Sequence, residues 1–280
     1  MKKAHIPTSY SIDQATPPPS KSLLKNWSLV ISLTRRDIEG RYSGSFAGLV
    51  WAFINPLLML MVYAFVFGIV FKSKWKGYSN SHMIFALLMF AGILIFNLFS
   101  ECINRAPSQI ISNTNYVKRV VFPLEILPIV NLGSALFHFG ISMLVWITFH
   151  LIFAGAPSPK LLLLPIAILP LLFFTIGTSW FLTSLGVYLR DTQQIVGILT
   201  TILMFLSPVL YPIAALPEKY RIIMLLNPMT SIVDIARDTM MGRTVLPYRQ
   251  WLLATPLTLI WAVLGYLWFM KTKRGFADVI

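Results

Sequence analysis

Of the 280 residues, 56% are hydrophobic and only 12% charged, and the mean hydropathy is +0.72; a soluble domain carries about a quarter of its residues as charge, so a soluble globular protein is excluded and residence in a bilayer is expected. The formal net charge of +13 flanks long apolar runs, which points to anionic headgroups and not to nucleic acid. The single cysteine, Cys102, excludes an intramolecular disulfide, and no Cys/His spacing suggests zinc.

Residues 1–21 open with Met1-Lys2-Lys3 and approach their end through Pro17-Pro18-Pro19. They have no apolar core of about 7 to 15 residues, so no cleavable signal peptide is expected, and too little apolar content to offset the entropy of ordering, which predicts a disordered cytoplasmic tail. Residues 22–45 read as an amphipathic helix lying in the membrane interface. Leu24, Trp27, Ile31 and Ile38 fall on one side and Lys25, Ser32, Arg36 and Glu39 on another, at three-to-four residue spacing. A helix packed on a cytosolic partner is the alternative.

Six stretches lack Asp, Glu, Lys and Arg: 46–71, 83–100, 126–153, 161–187, 192–212 and 251–270. Each is close to or longer than the roughly 20 residues that cross a bilayer as helix. The expectation is an all-α membrane protein with six transmembrane helices over residues 46–275. An even number puts both termini on one side, and placing the N-terminus in the cytoplasm puts 14 of the 23 Lys and Arg residues inside.

Between the last two spans, Leu216 to Leu226 and Met229 to Met241 are too short to cross. Asn227-Pro228 separates them with a cap residue followed by proline at a first helical position. Two short helices are expected, dipping into the outer leaflet or packing on the bundle through Tyr220, Ile223, Leu226, Ile232 and Ile235.

Proton- or sodium-coupled carriers place ionisable groups inside the membrane, and none of the six stretches holds a carboxylate, lysine or arginine. His138 and His150 lie twelve residues apart, about 120° around a helix, so they cannot form one site; structural hydrogen-bonding roles are expected. No P-loop GxxxxGK[ST], HExxH, GxSxG or clustered carboxylate pair occurs. The chain is therefore expected to be neither an ATPase nor any other enzyme, and uphill transport would need a separate energy-supplying subunit.

The run Arg35-Arg36-Asp37-Ile38-Glu39-Gly40-Arg41-Tyr42-Ser43-Gly44-Ser45, continued by Gly48, Trp51 and Asn55-Pro56, resembles the start of ABC-2 type permeases that export O-antigen, capsule or teichoic-acid polymers. Val117-Lys118-Arg119-Val120-Val121-Phe122-Pro123, Glu125-Ile126-Leu127-Pro128, Tyr188-Leu189-Arg190-Asp191, Ser207-Pro208-Val209-Leu210-Tyr211-Pro212 and Leu226-Asn227-Pro228-Met229-Thr230 follow in family order over roughly residues 22–275.

The resemblance implies a permease homodimer in the bacterial inner membrane, multi-pass with both termini cytoplasmic, bound to two copies of a cytoplasmic ATPase that hold ATP and Mg. The conduit would run between the permeases. Residues 22–45 would be the family's interface helix and 213–241 its outer gate helices, with Asn227, Pro228 and Thr230 at their junction. The loop 101–123 would couple to the ATPase through Asn113, Asn115, Tyr116, Lys118 and Arg119, with a second contact at Arg190 and Asp191.

Arg35, Arg36 and Arg41 could take the pyrophosphate of a lipid carrier, because guanidinium forks match phosphate oxygens; headgroup anchoring is the plainer role. Sugar faces pack on aromatic rings, which makes Trp51, Phe53, Tyr63, Phe65 and Phe67 on the first span and Phe205 and Tyr211 on the fifth candidates for channel lining. A lipid-facing belt is the plainer reading. Pro56, Pro170, Pro208, Pro212 and Pro256 bend or end spans. The function expected is export of a lipid-linked, O-antigen-like polysaccharide. Rivals are export of a small lipid or drug, teichoic-acid export, and a membrane enzyme that modifies glycolipids.

Overall fold

A computed structural model describes residues 26–70, 82–117, 122–213, 216–243 and 248–279. The expected tail 1–21, the start of the interface helix with Leu24 and Lys25, and the coupling candidates Lys118 and Arg119 lie outside the described residues. All regular structure among the described residues is helical.

The chain runs through α1 (Trp27–Tyr42), α2 (Trp51–Tyr63), α3 (His82–Arg105), α4 (Leu127–Phe153), α5 (Leu169–Tyr188), α6 (Thr192–Phe205), α7 (Glu218–Leu226), α8 (Pro228–Met240) and α9 (Tyr248–Thr272). Pro56 lies inside α2 and Pro256 inside α9. Helix α2 continues as a π-helical stretch, Ala64–Val70, a wider winding often found at functional sites.

Among the described residues, five stretches are long and apolar enough to cross a membrane: Gly48–Phe67, His82–Arg105, Leu124–Phe153, Pro159–Tyr188 and Arg249–Val279. The sixth expected span, 192–212, is shorter than its apolar sequence. Helix α6 stops at Phe205 after 14 residues, about 21 Å of helix against a hydrocarbon core of about 30 Å. The reason lies at Ser207-Pro208, since proline has no N–H to continue the ladder and pushes the preceding residue out of the helical region.

Helix α3 is the axis of the bundle: 78% of its most apolar window is buried in the protein, against 11% for α2. Helices α2, α4, α5, α6 and α8 all pack against it. Trp146 of α4, fully buried, donates its indole N–H to the Leu87 carbonyl of α3 at 3.0 Å.

Helices α5 and α9 meet most closely. A Cβ on Gly177 would stand 2.8 Å from the Ala262 Cα, and one on Gly265 would run into the Gly177 carbonyl. Small residues let two backbones reach van der Waals contact where lipid provides no hydrophobic drive. Tryptophans flank this seam: Trp261 donates to Thr178 Oγ1 at 2.9 Å, and Trp180 donates to the Glu125 carbonyl at 3.0 Å and meets Tyr266 edge-on.

Candidate functional site

Helix α1 collects one end of the bundle. Its buried residues Val30 and Leu33 pack on Ile126 and Val130, and Thr34 sits on Gly133 of α4, where a Cβ would come within 2.9 Å. The docked face is therefore Val30, Leu33 and Thr34. The expected apolar stripe of Trp27, Ile31 and Ile38 instead borders a groove of about 590 Å³ along Leu132, Leu136 and Phe137 of α4, with Arg35 and Glu39 at its rim.

Two ion pairs join α1 to α3 in opposite polarity. Arg105 makes a two-pronged bond to Asp37 at 2.7 and 2.9 Å, and Arg41 of α1 reaches Glu101 of α3 at 2.7 Å. His138 of α4 completes the cluster, with Nδ1 2.9 Å from Glu101 Oε1 and 3.0 Å from Arg41 Nη1. Burial alone would push the Asp37 carboxyl up, but hydrogen bonds from Arg105 and Ser134 and the charges of Arg105 and Arg41 outweigh it and hold the group below its ordinary range.

Beside this ladder lies a cavity of about 580 Å³ between α1, the α3 end and the following loop. Arg36, Arg41 and Arg105 line it against one carboxylate, Asp37, with Ser108, Gln109, Ser112 and Asn113 as neutral partners. Such a lining suits an anion with several oxygens. Arg36 is hydrogen-bonded to the Tyr116 hydroxyl, and Tyr116 stacks on Phe122 with ring centroids 4.2 Å apart. Helix α1 and the loop 106–117 are thus tied side chain to side chain.

The other sequence candidates fall in several places. Arg35 points away from the cavity, paired with Glu39 at 2.7 Å in an exposed i,i+4 bridge. Asn113 donates to the Gln109 carbonyl at 2.8 Å, and Asn115 is exposed in the short turn Thr114–Val117. Arg190 and Asp191 are exposed between α5 and α6. They share the α1 end, because Gly186 packs against the Pro107 carbonyl and Tyr188 donates to the Thr272 carbonyl at 2.8 Å. Lys273 closes this end with a 2.6 Å bond to Glu125.

Among the aromatics, Trp51, Phe53, Phe65 and Phe205 are exposed. Tyr63 and Phe67 are half-buried, neighbour each other, and lead on to Phe85. Tyr211 donates to the Phe205 carbonyl at 2.6 Å. His150 hydrogen-bonds the Gly155 carbonyl at 3.0 Å beneath Trp146; it and His138 have the separate hydrogen-bonding roles expected.

The opposite end is organised by a residue that the sequence reading passed over. Arg237 of α8 is 2% exposed. Its guanidinium donates to the carbonyls of Leu88 at 3.1 Å, Pro208 at 2.5 Å and Val209 at 3.0 Å, and to Asp234 at 3.2 Å. Gly92 of α3 leaves the room, since any Cβ there would strike the guanidinium. Asn227 works beside it as expected of a cap: its Oδ1 accepts from the Met229 N–H at 2.9 Å ahead of Pro228. Its Nδ2 also donates to the Leu206 carbonyl and to Ser207 Oγ, each at 2.9 Å. Thr230 is buried at the first turn of α8. The signal for Arg237 was an arginine on the Ile232–Val233–Ala236 side of an amphipathic helix, one turn after Asp234.

The sequence model of a family described as ABC-2 type transporter matches residues 28–241. The chain is 31% identical over 257 residues to the O-antigen export system permease protein RfbA of Myxococcus xanthus, covering 90% of this chain and 95% of that relative. It is 26% identical to the O-antigen export system permease protein RfbA of Klebsiella pneumoniae, with the same coverage. To the polysialic acid transport protein KpsM of Escherichia coli it is 23% identical, over 76% of this chain and 81% of that protein.

Proposed function

The chain belongs to the ABC-2 type transporter family, and from that premise we propose that it is the permease half of an ATP-driven exporter carrying a lipid-linked, O-antigen-like polysaccharide across the bacterial inner membrane. The observation that carries this reading is the near full-length similarity to O-antigen export permeases, which extends over 95% of the relatives' own length. The polysialic acid transport protein KpsM and the capsule polysaccharide export inner-membrane protein CtrC of Neisseria meningitidis match at lower identity and over less of the chain, which makes a capsule-like polymer the second reading.

In this reading the working unit is a homodimer with two ATPase subunits, which hold ATP and Mg because the chain has no P-loop. The loop 106–117 and the Arg190-Asp191 turn meet the ATPase at the α1 end, and both termini face the cytoplasm. Motion of the loop reaches α1 through Tyr116 and Arg36, and α3 through the Asp37–Arg105 and Arg41–Glu101 pairs. The cavity with Arg36, Arg41 and Arg105 receives the phosphate-bearing head of the lipid carrier. Helices α7 and α8 serve as the outer gate, and the aromatics of α2 and α6 border the polymer path.

Deleting the gene in its own host tests the reading. Surface polysaccharide should disappear and lipid-linked polymer accumulate inside the cell, and supplying the chain should repair both defects only while the host's partner ATPase gene is intact. Transport by the purified chain alone in vesicles, driven by a proton or sodium gradient, would overturn it.

A further inference from the structure

Helix α3, the most buried helix of the bundle, carries an amide and hydroxyl stripe at helical spacing: Asn97, Ser100 and Asn104. Asn97 is exposed about two turns inside the charged end of the helix. It stands between two cavities. One, of about 350 Å³, opens toward α2 with Asn55, Tyr63 and Ser142 in its wall together with the Arg41–Glu101–His138 cluster. The other, of about 260 Å³, opens toward α6 with Thr200 and Thr201.

Part of the stripe is ordered by its own bonds, from Thr200 Oγ1 to Asn104 Oδ1 and from Asn104 Nδ2 to Ser100 Oγ, both at 3.0 Å. The side-chain amides of Asn55 and Asn97 make no hydrogen bond to another of the described residues. His138 Nε2, in the same wall as Asn55, is also unpartnered. Amides left open at membrane depth are strongly disfavoured against lipid, so this side of α3 faces something that hydrogen-bonds.

The lining of the α6-side cavity selects among candidates. Phe96, Asn97, Ser100, Asn104, Thr201 and Met204 are all uncharged, and they offer amide donors together with hydroxyl and carbonyl acceptors beside an aromatic ring. A bare cation would use only the oxygens, whereas a hydroxylated chain uses both kinds of group. We propose that the stripe Asn97–Ser100–Asn104, faced by Asn55 from α2 and Thr201 from α6, is a water-filled hydrogen-bonding track for sugar hydroxyls. The inference rests on the polysaccharide reading above and adds to the aromatics of α2 and α6 a third helix with a different chemistry.

Cys102 is fully buried, so a cysteine introduced elsewhere is in effect the sole reactive thiol of this chain, and labelling is read on the chain after it is separated from the ATPase. In membranes containing the chain with its ATPase, Asn97→Cys and Asn55→Cys are expected to react with a charged, water-soluble methanethiosulfonate at least about tenfold faster than Leu253→Cys, which lies on the exposed apolar face of α9. Rates within about twofold of that control would overturn the track. In the export assay Asn97→Leu should reduce surface polymer at least about fivefold with chain level and ATPase pull-down unchanged, and Asn97→Gln should retain it. Normal export by Asn97→Leu would remove the sugar-contact role. If fast labelling accompanies a wild-type chain that supports no polysaccharide export, the water-filled track stands and the sugar assignment falls with the broader reading.

Discussion

The two ends of the bundle hold arginines in opposite ways. At the α1 end Arg41 and Arg105 meet carboxylates and Arg36 a tyrosine, all beside a cavity that leaves guanidinium edges open. At the α8 end Arg237 is sealed from solvent and held by three backbone carbonyls and Asp234. An arginine buried among acceptors of its own chain is a fastener. An arginine with donors to spare beside an empty volume can bind a ligand, and the same side chain serves both purposes according to what surrounds it.

That contrast is most exposed to failure at Arg237. Arg237→Leu strips donors from carbonyls that cannot reach water, and should cost on the order of 3–5 kcal/mol, read as a lower melting temperature of the detergent-solubilised protein and rapid proteolysis near residue 208. A melting curve unchanged from wild type would mean that the α6 end holds itself together.

The ladder at the other end should show charge order more than mere presence of charge. Arg41→Glu or Glu101→Arg alone sets like charges against each other and should cost about 1–3 kcal/mol, while the double exchange recovers most of the loss. A double-mutant cycle with no coupling would reduce the pair to a chance surface contact.

Acid offers a gentler probe of the same clamp. The Asp37 pKa is depressed in the folded protein, so its contribution is complete above the ordinary carboxylate range and is lost as pH falls through the lowered value. Hydrogen exchange along α1 should rise on that acid limb, and Asp37→Asn should flatten the response. The smallest stability effect belongs to Arg36→Ala, expected within about 0.5 kcal/mol. In detergent, the same variant should bind a soluble, short-chain pyrophosphate-bearing lipid analogue about threefold or more weakly. Equal binding by variant and wild type would assign the cavity to something other than phosphate.

Much of the helical plan was legible in the sequence because a bilayer demands about 20 uninterrupted apolar residues; for α2, α3, α4, α5 and α9 the uncharged runs and the helices coincide. The run 192–212 misled because hydropathy counts residues without regard to whether their backbone can stay helical. Pro208 cuts α6 short, and the carbonyls it frees are tolerable only because Arg237 and Asn227 reach them from a later segment. The stripe at Asn97, Ser100 and Asn104 was written in the sequence at helical spacing, but a search for charge inside the spans passes over neutral amides.

Composition and run length alone determined that this chain lives in a membrane, how many apolar segments it has, and that Asn227-Pro228 begins a helix, since each depends on the local backbone and its solvent. Tertiary structure decided which charges cancel and which stay open: Asp37 finds Arg105 across 68 residues, and Arg237 finds Leu88 across 149. Pairing energy depends on distance in space and on the dielectric around the pair, and neither quantity exists until the helices have packed.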